Sequence, residues 1–137
     1  MITDELRAWL RAVADVLIPA ADGMPAASEV GVADAQLDVV LAARPDLTRH
    51  LLRAYARTAE LTGTAAFAAL ADLDPDAEGA IAQIVAGGYY ASGKVRELIG
   101  YVGQQPIPVR PPDFPEYVTE GLLERVVARG PIYRAVD

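Results

Sequence analysis

Four groups of residues have types and spacings that could do chemistry. The first is "GYYASGKV", residues 88–95, where glycine, four residues, glycine and lysine stand as in a phosphate-binding loop. That chemistry takes a strand feeding a glycine-rich turn. Backbone N–H groups then surround the phosphates at a helix start, and a Ser or Thr after the lysine holds Mg²⁺. Val95 stands at the hydroxyl position and cannot ligate. The preceding run opens with Asp74-Pro75, a cap followed by proline, so helix rather than strand is expected before Gly88. The stretch therefore reads as helix, glycine-containing turn and second helix, with no specific ATP or GTP binding expected.

The second group is Arg49, Arg53 and Arg57, four residues apart and so on one helical face. They could grip an anionic ligand, which would make a small helical ligand-binding domain or enzyme. The favoured reading is a solvated face paired with some of the 19 acidic residues. His50, the single histidine, lies beside them, but no serine–histidine–acid order accompanies it. The third group is Asp72, Asp74, Asp76 and Glu78. A calcium loop wants ligands at alternating positions without interruption, and Leu73 and Pro75 break that pattern. Asp74 reads as a helix cap and Asp76 as a partner of the helix dipole. With one histidine and no cysteine, a histidine-rich site within one chain, a thiolate site and a disulfide are excluded. No catalytic, cofactor-binding or metal-ligating residue is assigned to this chain.

The fourth group is aromatic and proline-rich. Five of the six tyrosines follow residue 88, and "IGYVGQQPIPVRPPDFPEY" adds Phe114 and five prolines. Proline-rich segments stay extended without a sheet, and Tyr, Phe and Arg are common interface anchors. Tyr89, Tyr90, Arg96, Tyr101, Gln104, Pro111, Pro112, Phe114 and Tyr117 are the candidate partner interface. The competing reading is that the same strap packs on its own helices and closes the core.

The elements that must position these groups are helical. The 137 residues suit a single domain spanning 1–137, and 53% hydrophobic content is enough for one core. "TDELRAWLRAVADVLIP" is amphipathic, with Leu6, Leu10, Val13 and Leu17 at helical spacing, Thr3 as its cap and Pro19 as its stop. Further helices are expected over 33–43, from Pro45 to about Leu61, around Phe67 and Leu70, and from Pro75 onward. A short helix follows Ser92, and a last one over 118–129 is expected to bury Leu122, Leu123, Val126 and Val127. The expected class is all-α, with six or seven short helices and one extended segment over 101–116. The net charge of −7 argues against nucleic acid as a partner. No apolar run reaches the ~20 residues of a spanning helix, so no membrane insertion is expected. Without a basic segment leading into an apolar one at the N-terminus, a cytoplasmic location is expected, with export beside a partner as the other possibility.

"LRAVADVLIPAADGMPAASEVGV" resembles the start of the gluconate 2-dehydrogenase subunit 3-like family. The likeness lies in the helix ending at Leu17-Ile18-Pro19 and the acidic, glycine-containing loop Ala21-Asp22-Gly23. "GGYYASGKVRELIGYVGQ", residues 87–104, is similar to that family's later Tyr-Tyr, Val-Arg and Gly-Tyr-x-Gly-Gln elements. The resemblance implies a small accessory subunit without catalysis of its own. It further implies a hetero-oligomer with a glucose–methanol–choline type oxidoreductase that holds FAD and oxidises a sugar or alcohol hydroxyl. The small subunit would bind that partner and assist its folding, stability or export.

Overall fold

Thr3 starts the first helix. Its backbone is extended, and its Oγ accepts the Leu6 N–H at 3.3 Å, which satisfies one of the free donors at the helix start. α1 then runs over Asp4–Leu17, with Asp4 and Glu5 at the positive end of its dipole. The computed structural model of the chain describes residues 2–106, 116 and 119–132. The chain divides into two compact units, Met1–Val102 and Gly103–Asp137.

The first unit continues with α2 (Ala35–Ala43), α3 (Leu47–Thr58), α4 (Gly63–Leu73), α5 (Pro75–Ala91) and α6 (Gly93–Leu98). α7 (Glu124–Arg129) lies in the second unit. The class is all-α, with seven α-helices and no strand among the described residues. Three boundaries differ from expectation, the first being that α3 starts at Leu47 rather than at Pro45. α2 starts at Ala35 rather than Ala33, because a turn closed by the Asp34 N–H on the Gly31 carbonyl comes first. α3 ends at Thr58 rather than near Leu61.

α5 is the central helix and packs against α2, α3, α4 and α6. Its buried positions, Ala77, Ala80, Ile81, Ile84, Val85, Gly88 and Tyr89, recur at three- and four-residue steps. Leu6, Leu10 and Val13 of α1, Leu37 of α2, Leu51 of α3 and Leu70 of α4 complete the core. Fully burying one such leucine is worth about 1.5–3 kcal/mol. Small residues let α5 sit close to α2. A Cβ built on Gly88 would lie 3.4 Å from the Gln36 Cβ and 3.5 Å from a Val32 methyl.

α1 is clamped to the start of α2. One Arg7 nitrogen donates to the carbonyls of Ala33 (2.8 Å) and Asp34 (2.9 Å), and the other to Asp38 at 2.6 Å. Arg11 takes the Asp34 carboxylate. Asp34 stands at the N-cap of α2 yet makes no side-chain cap bond, and its carboxylate is turned to Arg11 instead.

In the second unit the expected last helix is short. Gly121 has a left-handed backbone (φ 66°), which interrupts the helix, so regular turns begin only at Glu124. The expected start at Val118, and most of the proline-rich segment, lie outside the described residues. Leu122, Leu123, Val126 and Val127 were expected inside a core. They are exposed, Val127 to 76%.

Two glycines of α5 give opposite expectations. Gly79 is exposed and an added Cβ would meet nothing within 4 Å, so Gly79→Ala should stabilise by about 0.5–1 kcal/mol through helix propensity. Gly88→Leu must displace Val32 and Gln36 and should cost about 1–3 kcal/mol. Urea unfolding midpoints of the two variants, compared with the parent chain, check both signs.

Candidate docking surface

The arginine stripe of α3 converges on one carboxylate. Asp74 is exposed to only 8%, and Arg53 reaches it with two nitrogens, at 2.5 and 2.8 Å. Arg57 adds a longer pairing at 3.5 Å and donates to the Leu73 carbonyl at 3.1 Å. Asp74 is also the joint between two helices. Its N–H closes α4 on the Leu70 carbonyl, and its carboxylate accepts the Ala77 N–H at the start of α5. Burial by itself would push this carboxyl up. The Ala77 amide, then the hydrogen bond and charge of Arg53, then Arg57, outweigh burial and hold it below the ordinary value of 3.8.

Arg49 turns to His50, donating toward its Nε2 at 3.1 Å, while Arg53 approaches its Nδ1 at 3.2 Å. A neutral imidazole accepts at only one nitrogen, so the two guanidiniums compete for it. An open groove of about 350 Å³ beside His50 is lined by Arg44, Asp46, Pro75 and Asp76, and its Arg44 is paired with Asp46. Two of the three stripe arginines are therefore held by the helix joint, which leaves little free cation for a ligand.

The near phosphate loop is helix, turn and helix. Gly88 lies buried inside α5, Ser92 forms the turn, and Lys94 is in the first turn of α6. The tyrosine pair splits. Tyr89, expected as an interface anchor, is a core residue exposed to only 3%. Its position continues the α5 stripe inward, and its hydroxyl donates to the Pro25 carbonyl at 2.8 Å. Burial, with smaller contributions from Tyr90 and Glu29, raises its phenol above 10.0, so it remains a donor at neutral pH. Tyr90 faces outward, 57% exposed, with its ring edge-on to Tyr89 at 5.5 Å.

That hydroxyl pins a long loop. Ala27 bonds back to the Ile18 carbonyl (3.0 Å), and Asp15 accepts both the N–H and the hydroxyl of Ser28 (2.8 and 2.7 Å). Within it, Ala21 and Met24 exchange hydrogen bonds of 3.1 and 2.8 Å across Asp22 and Gly23. Both central residues have positive φ, as a type I′ turn requires. The Asp-Gly pair in the sequence is the local signal for this turn.

α6 ends in a motif that aims Tyr101 outward. The Tyr101 N–H bonds the Arg96 carbonyl (2.8 Å) and the Gly100 N–H bonds that of Glu97 (3.0 Å), with Gly100 left-handed. This is the Schellman pattern. Arg96 is exposed and donates back to the Ala91 carbonyl at 3.1 Å, at the end of α5. Val95 is buried, while Leu98, Ile99 and Tyr101 are each about half exposed. Leu98 and Ile99 follow Val95 by three and four residues, so an inward stripe continues onto the surface. Beside it, an open cleft of about 410 Å³ separates α6 from the 21–24 turn. Met24, Pro25 and Leu98 give it apolar walls, and Lys94, Asp22 and Glu29 give it charge.

Of the nine candidate interface residues, Tyr90, Arg96 and Tyr101 are exposed in the first unit. Gln104 is exposed in the second unit, and Pro111, Pro112, Phe114 and Tyr117 lie outside the described residues. Among the described residues, no group of three His, Cys, Asp or Glu side chains is placed to hold a metal ion. No helix among them is long and apolar enough to cross a membrane. Comparison of the chain with family models, with characterised proteins and with solved structures finds no match.

Two outcomes test this geometry. Asp74 is favoured in its ionised form by the fold, so its contribution is complete above the unfolded aspartate pKa of about 3.9 and fades as pH falls through its lower folded value. Asp74→Asn keeps a capping side chain but loses the charge. The parent's stability advantage over this variant should therefore be full at pH 6 and shrink toward pH 2, as read from urea midpoints at each pH. Tyr89→Phe leaves the Pro25 carbonyl without its donor and should cost about 1–2 kcal/mol in thermal or urea unfolding.

Proposed function

We propose that this chain is a non-catalytic small subunit that docks on a larger FAD-dependent sugar or alcohol oxidoreductase subunit and stabilises or matures it. The observation that carries the reading is the distribution of exposed apolar side chains. Of fourteen exposed large hydrophobics among the described residues, ten follow residue 89. In the first unit they are gathered at the end of α5, at the end of α6 and just after it, where Tyr90, Leu98, Ile99 and Tyr101 are at least half exposed. A concentration of this kind marks an interaction surface, whereas scattered exposed leucines do not.

The chain's chemistry-bearing groups support the absence of catalysis in this proposal, because they are engaged in holding the fold. Arg53 and Arg57 serve Asp74, Arg11 serves Asp34, and the Tyr89 hydroxyl serves the loop. The partner's class rests on the resemblance of the Leu17-Ile18-Pro19 turn and of residues 87–104 to the small subunits of such enzymes. In this reading the flavin belongs to the large subunit alone, and the two chains form a hetero-oligomer.

The test is co-expression with an FAD-containing oxidoreductase subunit, followed by size-exclusion chromatography monitored at flavin wavelengths. The two chains should co-elute, and this chain alone should be colourless. Leu98→Ala with Tyr101→Ala should weaken the complex by about 2 kcal/mol or more, roughly thirty-fold. Thermal unfolding of the isolated variant should change little, because both side chains are half exposed. Arg49→Ala, on another helix, should leave affinity within about twofold. A yellow preparation of this chain alone would contradict the proposal.

A further inference from the structure

The cleft between α6 and the 21–24 turn holds two opposite charges that the fold does not use. Lys94 and Leu98, four residues apart on α6, line one side of it. Asp22, Met24, Pro25 and Glu29 line it from the loop. Glu29 is engaged, because its carboxylate accepts the Ala26 N–H at 2.8 Å. Lys94 and Asp22 are exposed, and among the described residues neither side chain has a hydrogen-bond or ion-pair partner.

Local structure asks for neither charge. Asp22 takes the left-handed backbone (φ 50°) at the first central position of its turn, where asparagine serves as well. Lys94 lies in the first turn of α6, where a cation meets the positive end of the helix dipole and gains nothing from it. The walls are held in place from within. The Tyr89 hydroxyl fixes the Pro25 carbonyl, and the Tyr101 and Gly100 amides close the end of α6. So open a cleft would leave a small molecule largely in water, but it suits an extended segment whose remainder is held elsewhere. Leu98 belongs both to the cleft and to the exposed apolar group around Tyr101, so the two surfaces are continuous.

We propose that this cleft receives an extended segment of the partner subunit. An aspartate or glutamate of that segment pairs with Lys94, an apolar side chain sits among Met24, Pro25 and Leu98, and a basic side chain pairs with Asp22. The two opposite charges fix the direction in which the segment lies, and the preformed walls reduce the entropy lost when it binds. The inference rests on the docking reading above and adds the chemistry of the segment that the partner presents.

Lys94 is the chain's single lysine, so an amine-to-carboxyl crosslink can form only there or at the N-terminal amine. A water-soluble carbodiimide joins an amine to a carboxylate in contact with it as an amide, itself taking up the water to become a urea. Applied to the co-expressed complex with the flavoprotein subunit, it should link Lys94 to an aspartate or glutamate of the partner, as read by peptide mass spectrometry. Lys94→Met should remove that link. Lys94→Glu should weaken the complex by about tenfold or more, with the loss largest at low salt. Asp22→Asn keeps the turn and should weaken it by about two- to fivefold. Melting of each isolated variant should match the parent, because both side chains are exposed. If the complex forms but gives no link from Lys94 to the partner, or loses less than about twofold on Lys94→Glu, the cleft is not the docking point while the docking reading stands. If the parent chain forms no complex, both fall together. A Lys94 link to a carboxylate of its own chain, or of a second copy of it, in place of the partner link would assign the charge to the fold or to self-association and overturn the proposal.

Discussion

A single buried carboxylate joins three helices. Asp74 closes α4 with its N–H, opens α5 with its side chain and receives Arg53 and Arg57 from α3. Pro75 makes the joint abrupt, since it fits the first position of a helix and cannot continue the one before. The direction in which α5 leaves this joint decides which of its faces meets α2, α3 and α4. A charge this buried is tolerable only with partners, and the two guanidiniums and the Ala77 amide supply them.

The same economy runs through the first unit. Polar side chains that would be free at helix ends are turned to neighbouring backbone. Arg7 serves the carbonyls ahead of α2, Asp15 serves Ser28 in the long loop, and Tyr89 serves Pro25. The loop after α1 buries Ala27, Val32 and Ala33 in the core, and these bonds add to that packing in holding its shape. Its tight 21–24 turn and α6 then form two firm walls with an open cleft between them. A surface already held in shape loses less entropy when a partner arrives than a mobile one would.

What remains without internal use is concentrated late in the chain. α6 is too short to lay both Val95 and the residues after it against α5, and the left-handed Gly100 turns Tyr101 away. In the second unit, Gly121 shortens the last helix, and its apolar residues stay in solvent. Exposed apolar area of this extent favours association. Within the proposed function, the helical body positions the docking surface and supplies no chemistry of its own.

Much of the body was legible in the residues alone. Thr3 before an amphipathic run, Asp74 before Pro75 and Gly100 after Leu98 are local signals, because caps and stops depend on a few neighbouring backbone groups. The all-α class, the bounds of α1, the start of α5 and the exclusion of thiolate chemistry followed from such signals and from composition. Other features depended on distant partners and were not legible. Helical spacing places Arg49, Arg53 and Arg57 on one face, but only the packing of α3 against α5 brings Asp74 beneath two of them. The pair Tyr89-Tyr90 looks symmetric in sequence, yet adjacent positions on a helix point about 100° apart. Which tyrosine enters the core depends on where α5 meets the long loop. Periodicity likewise marked Leu122, Leu123, Val126 and Val127 as an apolar stripe. Whether a stripe is covered is a property of what lies against it, and tertiary structure alone decides that.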